Sequence, residues 1–158
     1  MKHRKCKWPA DAPVVEARHE LALLAEDYFM AGRELASKRA SAGRLHAFRL
    51  LTKHLRYTLE VFRPLYGPAM DGRLAQLRKV QTVLGELNDY AVTRELMRAS
   101  EDRPHPGTRT LLEYLDEQEE RRRKDFAELW KQRFDAPGEF NRWILYLRRY
   151  AHDPKSVV

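Results

Sequence analysis

The apolar residues of the chain recur mostly three or four positions apart, which is the spacing of an amphipathic helix rather than of a strand. Five stretches have this spacing, at about 14–38, 44–63, 70–100, 108–134 and 138–150. Proline, glycine or serine residues cluster in the segments between them, at 41–43, 64–68 and 101–107. No stretch alternates apolar and polar residues between turn signals. The pattern predicts an all-α fold, an antiparallel up-and-down bundle of four long helices and a short C-terminal helix.

The two ends of the chain lack the helical spacing. Residues 1–13 combine a run of lysine and arginine with two prolines, which predicts a flexible basic arm. Residues 153–158 are expected to fray, so a single helical-bundle domain is predicted over 14–152. No apolar run approaches the length of a membrane span, and no apolar segment follows the basic start, so neither a membrane span nor a signal peptide is expected.

The charge balance indicates an anionic partner. Lysine and arginine outnumber aspartate and glutamate by 30 to 23, and the 158-residue chain has a net charge of +7. Inorganic polyphosphate, nucleic acid and an acidic membrane surface would each suit this balance. Cys6 is the only cysteine, which excludes an intrachain disulfide and weakly favours a reducing, cytoplasmic location.

The second predicted helix, 44–63, has two distinct faces. Its apolar face consists of Phe48, Leu51, Leu55, Leu59 and Phe62. An adjoining face holds what we call the basic row: His46, Arg49, Lys53 and Arg56. These four residues are spaced i, i+3, i+7 and i+10, so the row is about 15 Å long. No carboxylate precedes Glu60 in this stretch, so the ion pairs typical of a solvated helix face are expected to be missing and a polyanion would neutralise the row.

Three further cations are candidates for the same binding surface. Arg78 and Lys79 belong to the third predicted helix and project in different directions, and the pattern does not decide which faces the site. Arg122 lies on the packed side of the fourth helix, where a cation needs an anion. Its basic neighbours fit a solvated surface on which acidic residues pair with them: the cations are Arg121, Arg123 and Lys124, and the acids are Glu117, Glu119 and Glu120. Gln81 and Asn88 lie two turns apart beside an apolar stripe, so we expect them to hydrogen-bond to another helix or to the basic row.

No pattern in the chain indicates a catalytic centre, a cofactor or a metal site. The sequence has no glycine-rich phosphate loop after a strand, no HExxH and no Glu-x-x-His pairs. Its aromatic residues lie mostly on apolar stripes rather than among the cations, which favours a phosphate-only ligand over one that carries bases. The prediction is a non-enzymatic anion-binding protein. The alternatives are a nucleic-acid-associated helical protein and an accessory subunit of a phosphate-metabolising enzyme.

Two motifs resemble those of the CHAD domain family. They are Leu45-His46-x-x-Arg49-x-x-x-Lys53-x-x-Arg56-Tyr57-x-x-Glu60 and Leu77-x-x-Val80-Gln81-x-x-Leu84-Gly85-x-x-Asn88-Asp89. The resemblance implies a helical bundle that binds inorganic polyphosphate through a basic cavity or groove. It implies that the four residues of the basic row line this surface, and that Gln81, Asn88 and Asp89 have architectural roles.

Members of that family usually carry two related bundles in one chain, whereas the present sequence has one copy of the motifs. The copy resembles the C-terminal repeat of the family. The resemblance therefore implies either a half-domain that works alone or two chains that assemble into a two-bundle unit. We expect a homodimer, because a two-fold axis would place two basic rows around one groove.

Overall fold

The computed structural model describes residues 12–38, 40–99 and 106–151. Its helices are α1 (Ala12–Ser37), α2 (Ala42–Tyr66), α3 (Met70–Ala99), α4 (Pro106–Arg133) and α5 (Glu139–Arg149). No strand occurs in these residues, and the all-α prediction is confirmed. Most of the predicted arm at 1–13, most of the predicted loop at 101–107 and the predicted tail at 153–158 lie outside the described residues.

The helices pack around a core rich in aromatic rings. α1 contacts α2, α4 and α5, and α3 contacts both α2 and α4. Trp130 of α4 is fully buried and stacks on Phe134, with 4.5 Å between ring centroids. Tyr28 of α1 and Phe48 of α2 pack against the same indole at 5.5 and 5.7 Å. Because these rings come from α1, α2 and α4, the cluster ties three helices together.

Four helix ends lie two or three residues from the prediction. Two of them are early starts, of α1 at Ala12 and of α2 at Ala42. Pro64 does not end α2, which continues to Tyr66. The prediction was wrong because tertiary contacts fix the last turn: the Tyr66 side chain is buried and donates a hydrogen bond to the Leu147 carbonyl of α5. Gly67 ends the helix with a φ of 68°, which favours glycine. α4 begins at Pro106 rather than after Gly107, and proline suits the first turn of a helix because the missing N–H has no intrahelical acceptor there.

Three residues are exposed although their helical spacing predicts that they lie on the apolar faces of α3, α4 and α5: Leu96, Leu111 and Tyr150. The pairing of His46 with Asn88 sets the register of α2 against α3, and in this register the start of α2 lies near Val92. Residues of α3 beyond that point have no part of α2 opposite them. Leu96 therefore projects from a section of the α3–α4 pair that α2 does not cover.

Candidate functional site

The basic row lies along the groove between α2 and α3. At one end of the row, His46 Nδ1 lies 3.0 Å from the Asn88 side-chain oxygen. Toward the other end, Arg56 Nε donates to the Gln81 side-chain oxygen over 2.8 Å. The two helices therefore run antiparallel, and the expectation that both amides bond to another helix or to the row is confirmed: they bond to row residues of α2. Neutral amides accept these hydrogen bonds without cancelling the charge of the row.

Glu60 lies beside the Arg56 end of the row and binds two arginines. Its Oε1 accepts hydrogen bonds from Arg56 Nη1 at 2.6 Å and from Arg78 Nη2 at 3.2 Å. Arg78, rather than Lys79, is thus the α3 cation held next to the row. The expectation that ion pairs within the helix are missing was wrong for Arg56, because its partner follows one turn later. The Arg56 guanidinium also lies over the Tyr57 ring, 4.1 Å from its centroid.

The two central cations of the row, Arg49 and Lys53, have no acceptor within the described part of the chain. Both side chains are half-buried. Arg49 Nε is shielded from solvent and makes no hydrogen bond there. A buried donor without an acceptor is costly, so the middle of the row is the place where an anion would gain most. The row consequently has paired ends and an unpaired centre.

The remaining two candidates lie apart from this centre. Lys79 is exposed on α3. Arg122 of α4 forms ion pairs with Glu86 at 2.6 Å and Asp125 at 2.8 Å. At about 100° per residue, Glu86 lies roughly on the opposite side of α3 from Gln81. The structure therefore does not bring Arg122 to the basic row, although its need for an anionic partner was predicted correctly. The hydrogen bond to Asp125 and the charge of Glu86 raise the pKa of Arg122.

The burial of an ionic network on α4 was not predicted from the sequence. The Glu119 side chain is only 8% exposed and pairs with Arg123 at 2.6 Å and with Arg94 of α3. Arg123 also donates to the carbonyl of Ala40 over 2.7 Å, so it links α4 to the segment before α2. The prediction of a solvated Arg123 was therefore wrong. The Glu119–Arg123 spacing of four residues was visible in the sequence, but it does not reveal burial.

The start of α2 adds to the positive potential at the His46 end. Ser41 caps the helix by accepting a hydrogen bond from the Arg44 N–H, and the first turn holds no acidic residue. The positive end of the helix dipole disfavours cations and favours anions at this place. A cleft of about 240 Å³ opens here between α2 and α3, beside His46 and Asn88, with Glu95 as its one carboxylate.

Other site types find little support in the described residues. No group of three or more histidine, cysteine, aspartate or glutamate side chains there is arranged to hold a metal ion. None of the helices there combines the length and the apolar character needed to cross a bilayer.

Comparison with known families agrees with the motifs on α2 and α3. The CHAD domain model matches residues 7–98, which is more than half of the chain. The chain belongs to the CHAD domain family. The match covers the whole of α2 and nearly all of α3, so the CHAD region includes the basic row and the amides that hold its ends. Searches among curated proteins and solved structures return no significant match.

Proposed function

We propose that this CHAD domain binds inorganic polyphosphate, without catalysis, along the basic row of α2. The observation that carries the proposal is the unpaired centre of the row, where Arg49 and Lys53 have no acceptor in the part of the chain that the structure describes. Membership of the CHAD family supports the same ligand, as the resemblance in the sequence implied.

The arrangement suits a linear phosphate chain better than a nucleic acid. The row extends about 15 Å along one helix, so successive phosphoryl groups could contact successive cations. Single-strand binding proteins place aromatic rings between the cations for base stacking. Tyr57 is the one exposed aromatic residue beside the row within the described residues, and the Arg56 guanidinium already covers a face of its ring. Phosphate contacts without base contacts are therefore the better match.

The test is calorimetric titration of polyphosphate into the wild type and into the Arg49→Ala/Lys53→Ala variant at two salt concentrations. The slope of log K against log salt is negative, and each cation removed should make it shallower by about 0.7–0.9, which is the value per phosphate contact in nucleic acids. The matched control is Arg121→Ala/Lys131→Ala, which removes the same charge from exposed positions of α4. We expect the control to bind nearly as tightly as the wild type.

Four outcomes would count against the proposal. Equal binding by the wild type and the Arg49→Ala/Lys53→Ala variant would place the site elsewhere. Equal losses in this variant and in the α4 control would indicate attraction to net charge alone. Full displacement of polyphosphate by single-stranded DNA would favour the nucleic-acid alternative, and phosphate release during the titration would favour an enzymatic role.

We also propose that two chains pair to form a two-bundle unit, since the chain carries one copy of the CHAD motifs. The outer face of α2 exposes Leu50, Tyr57 and Val61, which are 50–73% accessible and lie at helical spacing next to the row. Burial of these side chains in a two-fold contact would bring the two rows together. Light scattering at micromolar concentration, with and without polyphosphate, should show a dimer. A monomer under both conditions would refute the pairing.

A further inference from the structure

One position on α3 faces the unpaired centre of the basic row. Gln81 and Asn88 bind the two ends of the row, and Gly85 lies between them on the same side of α3, four residues after one amide and three before the other. The antiparallel register places Gly85 opposite Arg49 and Lys53. On the α3 side of the groove, the polar side chains of Gln81 and Asn88 therefore flank Gly85, which has no side chain.

Neither backbone conformation nor helix packing accounts for this glycine. Glycine inside a helix costs about 1 kcal/mol relative to alanine. Gly85 does not have a positive φ, unlike Gly67 and Gly138. A Cβ added at Gly85 would meet no atom within 4 Å, whereas one added at Gly32 would lie 2.0 Å from the Trp130 ring. Gly32 is required for close packing of helices, and Gly85 is not.

We infer that Gly85 keeps open a seat for one phosphoryl group of the bound chain, between the two amide bridges and against Arg49 and Lys53. This inference rests on the proposed function and identifies its central subsite. The Arg49 guanidinium, whose Nε lacks an acceptor within the described residues, is the donor group at this subsite. Gly85 itself contributes no hydrogen bond to the phosphoryl group. It is a positioning residue, because any larger side chain at this position would fill the space that the phosphoryl group needs.

The seat explains why the ends and the centre of the row differ. At the ends, the α3 side chains reach across and hold His46 and Arg56 in place. At the centre, the missing side chain leaves the cations without a protein partner and leaves room for an external one. A phosphoryl group there would sit between two helices rather than on an outer face, where water screens charge strongly, so its contacts with the cations would be stronger.

The test compares Gly85→Ala and Gly85→Gln with Gly72→Ala and Gly72→Gln. Gly72 belongs to the same helix, is exposed and likewise has no atom within 4 Å of an added Cβ. We expect Gly85→Gln to weaken polyphosphate binding about tenfold, because this is the effect of losing one hydrogen bond between charged groups. Gly85→Ala should weaken binding less and raise the melting temperature, because alanine favours the helix. The Gly72 variants should bind like the wild type.

A second readout separates filling of the seat from a general disturbance of α3. In the Arg49→Ala/Lys53→Ala background, Gly85→Gln should change the affinity by less than twofold, since the contacts it blocks are already gone. Equal binding by the wild type and Gly85→Gln would refute the seat but leave the polyphosphate site standing. Equal losses from the Gly85 and Gly72 variants would also refute it. Absence of binding by the wild type would refute both proposals.

Discussion

Replacement of Gly32 by alanine tests how tightly α1 packs on α4. A Cβ at position 32 would lie 2.0, 2.3 and 2.4 Å from three carbons of the Trp130 six-membered ring. Carbon atoms pack at about 3.5–4.0 Å, so the ring would have to move by more than about 1 Å. Phe134 stacks on this ring and Phe126 lies 6.0 Å from it, so the indole has little freedom to move.

The expected net effect is a loss of stability. Alanine in place of glycine contributes up to about 1 kcal/mol through helix propensity. Overpacking of a well-filled core costs about 1–3 kcal/mol and occasionally more, and the shortness of these contacts argues for the upper end. The difference is a net destabilisation of about 2 kcal/mol. For a chain of this size, that corresponds to a fall in melting temperature of about 4–8 °C.

Urea denaturation followed by circular dichroism would measure this change in the free energy of unfolding. Trp130→Phe is the companion variant, because it shortens the ring system and removes an indole N–H that has no hydrogen-bond acceptor within the described residues. Gly32→Ala should cost less in the Trp130→Phe background, so the double-mutant cycle should show favourable coupling. An unchanged or higher stability of Gly32→Ala alone would refute the close contact between the two helices.

Two further predictions concern single carboxylates. In titrations, Glu60→Gln should tighten polyphosphate binding and steepen its salt dependence by about one released counterion. The reason is that the ligand no longer competes with a carboxylate for Arg56, which Gln81 still holds in place. Weaker binding would contradict this. The hydrogen bond from Arg63 lowers the pKa of Asp71, so the ionised carboxylate stabilises the fold above its unfolded pKa, and this contribution disappears as pH falls through the folded pKa. Asp71→Asn should therefore lower the melting temperature at neutral pH but not in strong acid, and a pH-independent difference would contradict the pairing.

The helices and the place of the basic row could be predicted from sequence because both depend on spacing along one helix. The same spacing indicated that Gln81 and Asn88 would lie beside an apolar stripe, and the requirement that amides find partners predicted their contact with another helix or with the row. The burial of Arg123 could not be predicted in this way. Its burial depends on Glu119 and on the carbonyl of Ala40, which is 83 residues away in the sequence. Periodicity carries no information about such a distant partner.

The helix ends illustrate the same limit. Proline usually stops a helix, but Pro64 is followed by another two residues of α2 because Tyr66 is held by α5. The exposure of Leu96 likewise depends on where α2 begins relative to α3, which is a property of the register and not of either helix alone. Predictions from pattern therefore failed where the contact between two elements, rather than the character of one, decides the outcome.

The choice of amides as partners for the basic row has an energetic consequence for binding. An arginine side chain held in one conformation loses about 1.5–2 kcal/mol of conformational entropy, and a ligand that must order it pays this cost on binding. Gln81 helps to order Arg56 before the ligand arrives and, as a neutral amide, compensates none of its charge. Glu60 accepts a hydrogen bond from the same guanidinium at 2.6 Å and compensates part of its charge. The row thus combines ends that already have protein partners with an open centre, and the strongest electrostatic gain is expected at Arg49 and Lys53.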